Sequence, residues 1–382
     1  MHIAFLTPEY PHPKVINAAG IGTSMKNLVI ALVNEKVEVT VIVYGQQCND
    51  FFIDNGVAIY LIKTIKYKIA TWYFYRKHIQ NQVNKIIISN KIDLIEAADW
   101  TGITAFMKFK VPLIIRFHGS DTYFCNLEKR KQKLKNFWFE KLALKNAKAF
   151  IAPTNFSGKL THKLFKIKNK RTTTITNGLD LDFFNNKNPE IFESGLILYF
   201  GTIIRKKGVL ELPIIFEKVL QKCPNAKLVL IGSDSEDIST KTKSTWSLIE
   251  NQLNENTKDK TQYLKQIPYV EVQNWIKKAN ICVFPTFAET LGMVTIEAMA
   301  MQKAVVSSNK EWVYEIFENE KSGFSIDPKN HNAFAEKIIY LIKNPSACIS
   351  IGHEARSRVE NKFDIKKVVH ENIDFYKKII NL

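Results

Sequence analysis

Short, largely apolar runs recur along this chain, at 2–6, 37–44, 92–95, 113–116, 150–152, 196–200, 227–232, 281–284 and 304–307. Three of them, at 150–152, 196–200 and 281–284, are apolar throughout and most of the others carry a single polar residue, the pattern of strands buried on both faces of a parallel sheet. Helical runs at 25–33, 209–221, 331–344, 347–362 and about 364–380 separate or follow them. Strand and helix therefore alternate in both halves, which predicts an α/β chain whose sheets are covered by helices. With 382 residues the chain is too long for one ordinary domain of this kind and suits two.

The stretch 281–301 concentrates the chemistry. A buried strand pattern, Ile281 to Phe284, ends at Pro285, which cannot donate to a ladder. A small loop follows, then a helix-forming run from about Gly292. Glu289 stands at the mouth of the turn and Glu297 eight residues later. Eight helical residues rise about 12 Å, so the two carboxylates are expected to grip two ends of one extended ligand and not one metal. The amides of Leu291, Gly292 and Met293 would face outward at the helix start and favour a diphosphate. A pair of glutamates on a solvated helix is the plain alternative. Burying Glu297 in the apolar run 294–300 would be costly without a partner, and the carboxyl end of a strand is where open α/β sheets bind ligands.

Other segments add cations and glycines. Gly201 to Gly208 leaves the 196–200 strand carrying Arg205, Lys206 and Lys207, a natural clamp for a leaving diphosphate or else a solvated basic loop. Ala19-Gly20-Ile21-Gly22-Thr23 precedes a helical run, where glycines let backbone amides approach a ligand, although a simple turn fits equally. His118 and Asp121 follow the 113–116 strand. The five cysteines are scattered and lack CxxC spacing, as in a reduced cytoplasmic protein, and neither a leader peptide nor a membrane-spanning run is expected. Residues 1–180 hold 27 Lys and Arg against 12 Asp and Glu, whereas the remainder holds 27 against 25. Basic aromatic segments at 63–85 and 126–148 and a further basic stretch at 159–171 read as solvated helix faces, as an anionic membrane surface contact, or as a nucleic-acid surface.

With its flanks, Phe287-Ala288-Glu289-Thr290-Leu291-Gly292-Met293-Val294 followed by Glu297-Ala298-Met299-Ala300 resembles the Glu-x7-Glu signature of retaining GT-B glycosyltransferases of group 1, the fourth family of the sequence-based numbering. That resemblance implies a GT-B architecture. Two Rossmann-like domains would face each other across a cleft, with residues 1–178 on the acceptor side, 179–363 binding a nucleotide sugar, and 364–382 crossing back to the first domain. It implies that Glu297 holds the ribose hydroxyls and Glu289 the donor sugar. Lys207, Arg205 and the amides after Thr290 would meet the departing diphosphate. By the same resemblance His118 touches the donor sugar, Gly20 and Gly22 belong to a donor-facing loop, and Gln266 to Tyr269 lies at the base. Two departures stand out, Ala19 where many relatives have a first glycine and Thr202 where they have arginine. No Asp-x-Asp in a suitable context appears, so a metal-independent hexosyl transfer is expected, with the nucleotide sugar (UDP- before GDP-) as substrate and no cofactor. The expected acceptor is a glycan or lipid-linked envelope precursor, met in the cytoplasm or at the inner membrane face. Two other classes compete: a non-catalytic nucleotide-sugar-binding relative serving a partner enzyme, and, less favoured, a basic nucleic-acid-binding protein.

Overall fold

A computed structural model of the chain describes residues 1–18 and 20–381. They divide into two compact units, the first formed by Met1–Asp180 together with the chain from Asp364, the second by Leu181–Phe363.

The first unit is built on an eight-stranded sheet. Its strands are β1 (His2–Thr7), β2 (Glu38–Gln46), β3 (Asp50–Asp54), β4 (Val57–Lys63), β5 (Leu94–Ala98), β6 (Leu113–Arg116), β7 (Ala149–Ala152) and β8 (Arg171–Thr174), in the order β3-β4-β2-β1-β5-β6-β7-β8. Both faces are covered. Ile3 and Phe5 enter one core cluster with Val29 and Leu32, while Ala4 and Leu6 enter the other with Ile79 and Val83. This two-sided burial is why the strands read as continuous apolar runs. The antiparallel β3–β4 hairpin at the edge was not expected from the sequence, and β3 leaves alternate residues exposed.

The final helix, Ile365–Ile380, belongs to this unit. It buries Val368, Val369, Ile373, Tyr376 and Ile379 in the first cluster, following the helical repeat of apolar positions. A buried polar network ties it to the sheet. Arg116 Nε of β6 donates to Glu96 Oε1 of β5 at 2.7 Å, and Arg116 Nη2 donates to Asn372 Oδ1 at 2.6 Å. The Tyr376 hydroxyl donates to Glu96 Oε2 at 2.6 Å.

Helix Thr71–Ser89 lies within the basic aromatic segment at 63–85 and packs against its own unit. Trp72 stands 5.1 Å from Phe139 and 5.5 Å from Phe106, and the buried Arg76 guanidinium lies 4.4 Å over the Phe139 ring. Arg76, Ile79, Val83 and Ile87 are its buried face, while Trp72 and Phe74 stay partly in solvent at 40% exposure each. Among the described residues no helix is long and apolar enough to cross a membrane.

The second unit has six parallel strands, β9 (Leu196–Phe200), β10 (Lys227–Ile231), β11 (Thr261–Tyr263), β12 (Ile281–Phe284), β13 (Ala304–Ser308) and β14 (Phe324–Ile326). Their order is β11-β10-β9-β12-β13-β14. The chain leaves β9 towards one edge through β10 and β11, then returns to lay β12 on the other side of β9. That reversal opens a crevice beyond the carboxyl ends of β9 and β12, the standard ligand position in such sheets. Both units are thus Rossmann-like α/β domains.

Candidate active site

The loops leaving β9 and β12 are locked together at their bases. Phe287 N donates to Lys206 O at 2.8 Å. Gly208 adopts φ 71°, and a Cβ there would run into the Pro285 carbonyl oxygen, so only glycine permits this approach. The result brings Lys207 from one loop into an ion pair with Glu289 from the other.

Glu297 joins them from helix Met293–Ala300. The helix begins at Met293, after Gly292 at φ 94°, close to the expected start at Gly292. Only part of the spacing between the two glutamates is therefore helical, and the rise of about 12 Å for eight helical residues does not apply. Both instead act on the same lysine. Burial, with Lys206 nearby, lowers the Lys207 ammonium to about 7, and Glu297 opposes that shift. Burial raises the Glu297 carboxyl to about 7, against the Tyr269 hydroxyl bonded to it and Lys207. The amides of Leu291, Gly292 and Met293 have no partner among the described residues and lead into the helix that carries Glu297. Thr290 N donates to the Glu289 carboxylate at 3.3 Å. A cation, two carboxylates and a helix N-terminus therefore converge at the switch point.

Arg205 is placed differently from expectation. Its Nε and Nη2 make a bidentate pair with Asp237 at 2.7 and 2.9 Å, and Thr240 N and Oγ1 also donate to that carboxylate. Asp237 is buried, and these donors, Arg205 first, hold it well below the usual carboxylate range. Arg205 thus organises the polar excursion after β10. The Thr202 carbonyl accepts from the Tyr199 hydroxyl at 2.9 Å. Tyr269 opens helix Tyr269–Lys278 and stacks on Phe183 at 6.2 Å with planes 5° apart, a flat aromatic wall beside Glu297.

In the first unit His118 follows β6. Its backbone N donates to Asp99 Oδ1 at 2.8 Å, and burial together with Arg116 lowers the imidazole to about 3, so it is neutral at physiological pH. Burial raises the Asp99 carboxyl to about 7, and its Oδ2 has no hydrogen-bond partner among the described residues. Asp121 is engaged by Arg130 at 3.2 Å and Asn136 at 2.9 Å. Gly20 and Gly22 sit in the first turn of helix Gly20–Asn34 and not in a loop, and Gly22 N donates to Glu9 Oε2 at 3.1 Å. Ala19 lies outside the described residues.

Sequence reasoning missed Asp99, Asp237 and the individual role of Tyr269. Asp99 could have been found by the argument used for His118, because it stands just past a strand end. Asp237 had no such signal, being one acid in a polar stretch.

Residues 182–358 match the family described as "Glycosyl transferases group 1", and residues 18–183 match "Glycosyltransferase Family 4". A curated relative, the capsular polysaccharide biosynthesis glycosyltransferase CapM of Staphylococcus aureus, is 30% identical over 262 residues. That match covers 62% of this chain and 63% of CapM. Sucrose-phosphate synthase from Thermosynechococcus elongatus superposes with a TM-score of 0.84 at 19% identity, over 100% of this chain and 99% of that one. Anabaena HepE in complex with UDP superposes with a TM-score of 0.75 at 16% identity, over 99% and 100% of the two chains. Those two likenesses establish the GT-B fold, and the two family matches follow one another along nearly the whole sequence. The chain belongs to the group 1 glycosyltransferases.

Proposed function

We propose that this chain is a retaining, metal-independent glycosyltransferase that moves a hexose from a UDP-sugar to a hydroxyl of a glycan or lipid-linked envelope precursor. The observation that carries the reading is Lys207 held against Glu289 beside Glu297, where unpaired amides of the Met293–Ala300 helix open at the carboxyl ends of β9 and β12. In the reaction the bond from the anomeric carbon to the diphosphate breaks and the bond to the acceptor oxygen forms on the same face. The acceptor proton leaves with the phosphate oxygen. Lys207 and the amides of Leu291, Gly292 and Met293 meet the charge that develops on the diphosphate. Glu289, released from Lys207, accepts from the sugar hydroxyls, and Glu297 accepts from the ribose. His118, neutral, hydrogen-bonds the sugar. Arg205 reaches the diphosphate only by giving up Asp237, so its assigned role is the secondary one. The UDP bound by HepE supports uridine over guanosine. Turnover takes place in the cytoplasm or at the inner membrane face, where the basic first unit meets anionic lipid and no nucleic acid takes part.

Thermal unfolding with UDP and GDP, with and without EDTA, tests this directly, because a ligand of the native state raises the midpoint. UDP is expected to raise it, GDP not, and EDTA to change nothing. Glu289→Gln is expected to abolish turnover while keeping the UDP shift. A GDP-only shift would reassign the base, EDTA sensitivity would overturn metal independence, and an active Glu289→Gln would remove that residue from the site. Loss of all nucleotide shifts would sink the enzyme reading. A UDP shift without turnover on any acceptor panel would favour the non-catalytic relative.

A further inference from the structure

The first unit carries nearly all of the chain's net charge. It holds 31 Lys and Arg against 15 Asp and Glu, a net +16 of the total +17, whereas the second unit holds 23 against 22. The density peaks between Lys129 and Arg171, which contains 14 basic residues and a single acid, Glu140. Glu140 is buried and spends its carboxylate on the amides of Asp121 and Thr122, so no acid of this stretch offsets its cations.

Within this region lies a groove of about 330 Å³ between helix Leu134–Asn146 and the segment 165–170. Its apolar lining comes from Leu142, Leu144, Phe165 and Ile167, and Trp138 stands at its lip. Lys141, Lys145, Lys166, Lys168 and Lys170 surround that lining, and none of them pairs with a carboxylate among the described residues. Lys170 is spent structurally, donating to the carbonyls of Lys145 and Ala147 and so tying the two walls together. The other four remain available to an anion.

The helix adds a second element. Leu134, Trp138, Lys141 and Lys145 follow i, i+4, i+7 and i+11 spacing and therefore share one face. Leu134 is 76% exposed and Trp138 54% exposed, large apolar side chains held in water beside lysines. Lys141 Nζ lies 5.2 Å from the Trp138 ring centre. A tryptophan next to lysines on an outward helix face is the pattern of a side chain set at a headgroup boundary.

We propose that this groove binds the phosphate-bearing headgroup of an anionic phospholipid, with Leu134 and Trp138 entering the acyl boundary. The proposal rests on the membrane-surface part of the functional reading above and gives it an address. A single-stranded nucleic acid fits less well, since stacking platforms need successive aromatic faces and this lining is mainly aliphatic. A free phosphate would use the lysines but leave Leu134 and Trp138 without a role.

The test is vesicle co-sedimentation of the full chain on phosphatidylcholine with and without phosphatidylglycerol. The groove variant is Lys141→Gln/Lys145→Gln/Lys166→Gln/Lys168→Gln. A charge-matched control, Lys222→Gln/Lys243→Gln/Lys258→Gln/Lys278→Gln, changes lysines of the second unit. Each lysine near an anionic surface contributes about five-fold to partitioning, so the four-lysine groove variant should lose up to about 600-fold and the control less than about three-fold. Brominated lipid should quench a share of the tryptophan emission that is absent in Trp138→Phe. These lysines are on the surface, so the melting temperature of each variant should stay within about 2 °C of the parent. Retention of vesicle binding by the groove variant would overturn the groove while leaving the membrane reading intact. An equal loss in the control would do the same. Failure of the parent protein to bind anionic vesicles would overturn both, as would binding to oligonucleotides or inorganic phosphate that needs the groove lysines while vesicles are ignored.

Discussion

Glu297 shows how a buried carboxylate can work against the stability of its own domain. It is 7% exposed, and burial raises its carboxyl from the ordinary 4.5 to about 7. The unfolded chain releases this proton near 4.5 while the folded one keeps it to about 7. Below 4.5 both states are protonated and the residue is neutral to folding. As pH rises from 4.5 to 7 the folded state is progressively disfavoured, and above 7 the cost is constant. Glu297→Gln carries no ionisable group, so its melting temperature should match the parent near pH 4.5 and exceed it above pH 7. The gain should be about 3 kcal/mol, several degrees for a unit of this size. On the proposed role of Glu297 at the ribose, the same change should lower UDP affinity at least about ten-fold. Calorimetry across pH, with and without UDP, reads both effects. A variant no more stable than the parent at pH 8 would mean that Glu297 is not buried as a charge.

At the scale of elements, the interlock between the loops after β9 and β12 decides whether the site forms. Gly208→Ala places a methyl against the Pro285 carbonyl and puts alanine at φ 71°. Left-handed backbone alone costs about 1–2 kcal/mol, and the contact adds to it, so roughly 2–4 kcal/mol of stability should be lost. Because Lys207 immediately precedes this residue, turnover should fall more steeply than nucleotide affinity. An active, fully stable variant would show that the two loops can part without consequence. The elements themselves differ in how far the sequence reveals them. Strands buried on both faces announce themselves through largely apolar runs, and the strand, loop and helix that carry Glu289 and Glu297 were legible as such. The β3–β4 hairpin was not, because an edge strand buries only half of its side chains, although Asn55-Gly56 at φ 49° and 79° is a turn signal present in the sequence. Arg205 shows a different limit. Nothing local marks Asp237, 32 residues away, as its partner, so a cation free to clamp phosphate and one already paired look alike in sequence.

Over the whole molecule, the chain returns to its first unit after completing the second, and that return has an energetic consequence. Helix Ile365–Ile380 supplies Val368, Val369, Ile373, Tyr376 and Ile379 to the core beneath β1 and β2. It also supplies Asn372 and Tyr376 to the Arg116–Glu96 pair, which is almost fully buried. Ending the chain after Phe363 would strip an apolar face of several side chains, each worth about 1.5–3 kcal/mol, and leave a buried ion pair short of hydrogen bonds. A typical domain has only about 5–15 kcal/mol to lose. The first unit should therefore fail to unfold cooperatively in the truncated chain. The second unit carries its own six-stranded sheet within Leu181–Phe363 and should keep its transition. UDP should raise that transition, because Lys207, Glu289, Glu297 and the Met293 amide all lie within it. Tyr376→Phe, which removes one hydroxyl and leaves the apolar face intact, should cost the first unit only about 1–3 kcal/mol. Calorimetry of the three proteins separates the contributions. A truncated chain with both transitions intact would show that the first unit folds without its last helix, and loss of the UDP-responsive transition would show that the second unit depends on it.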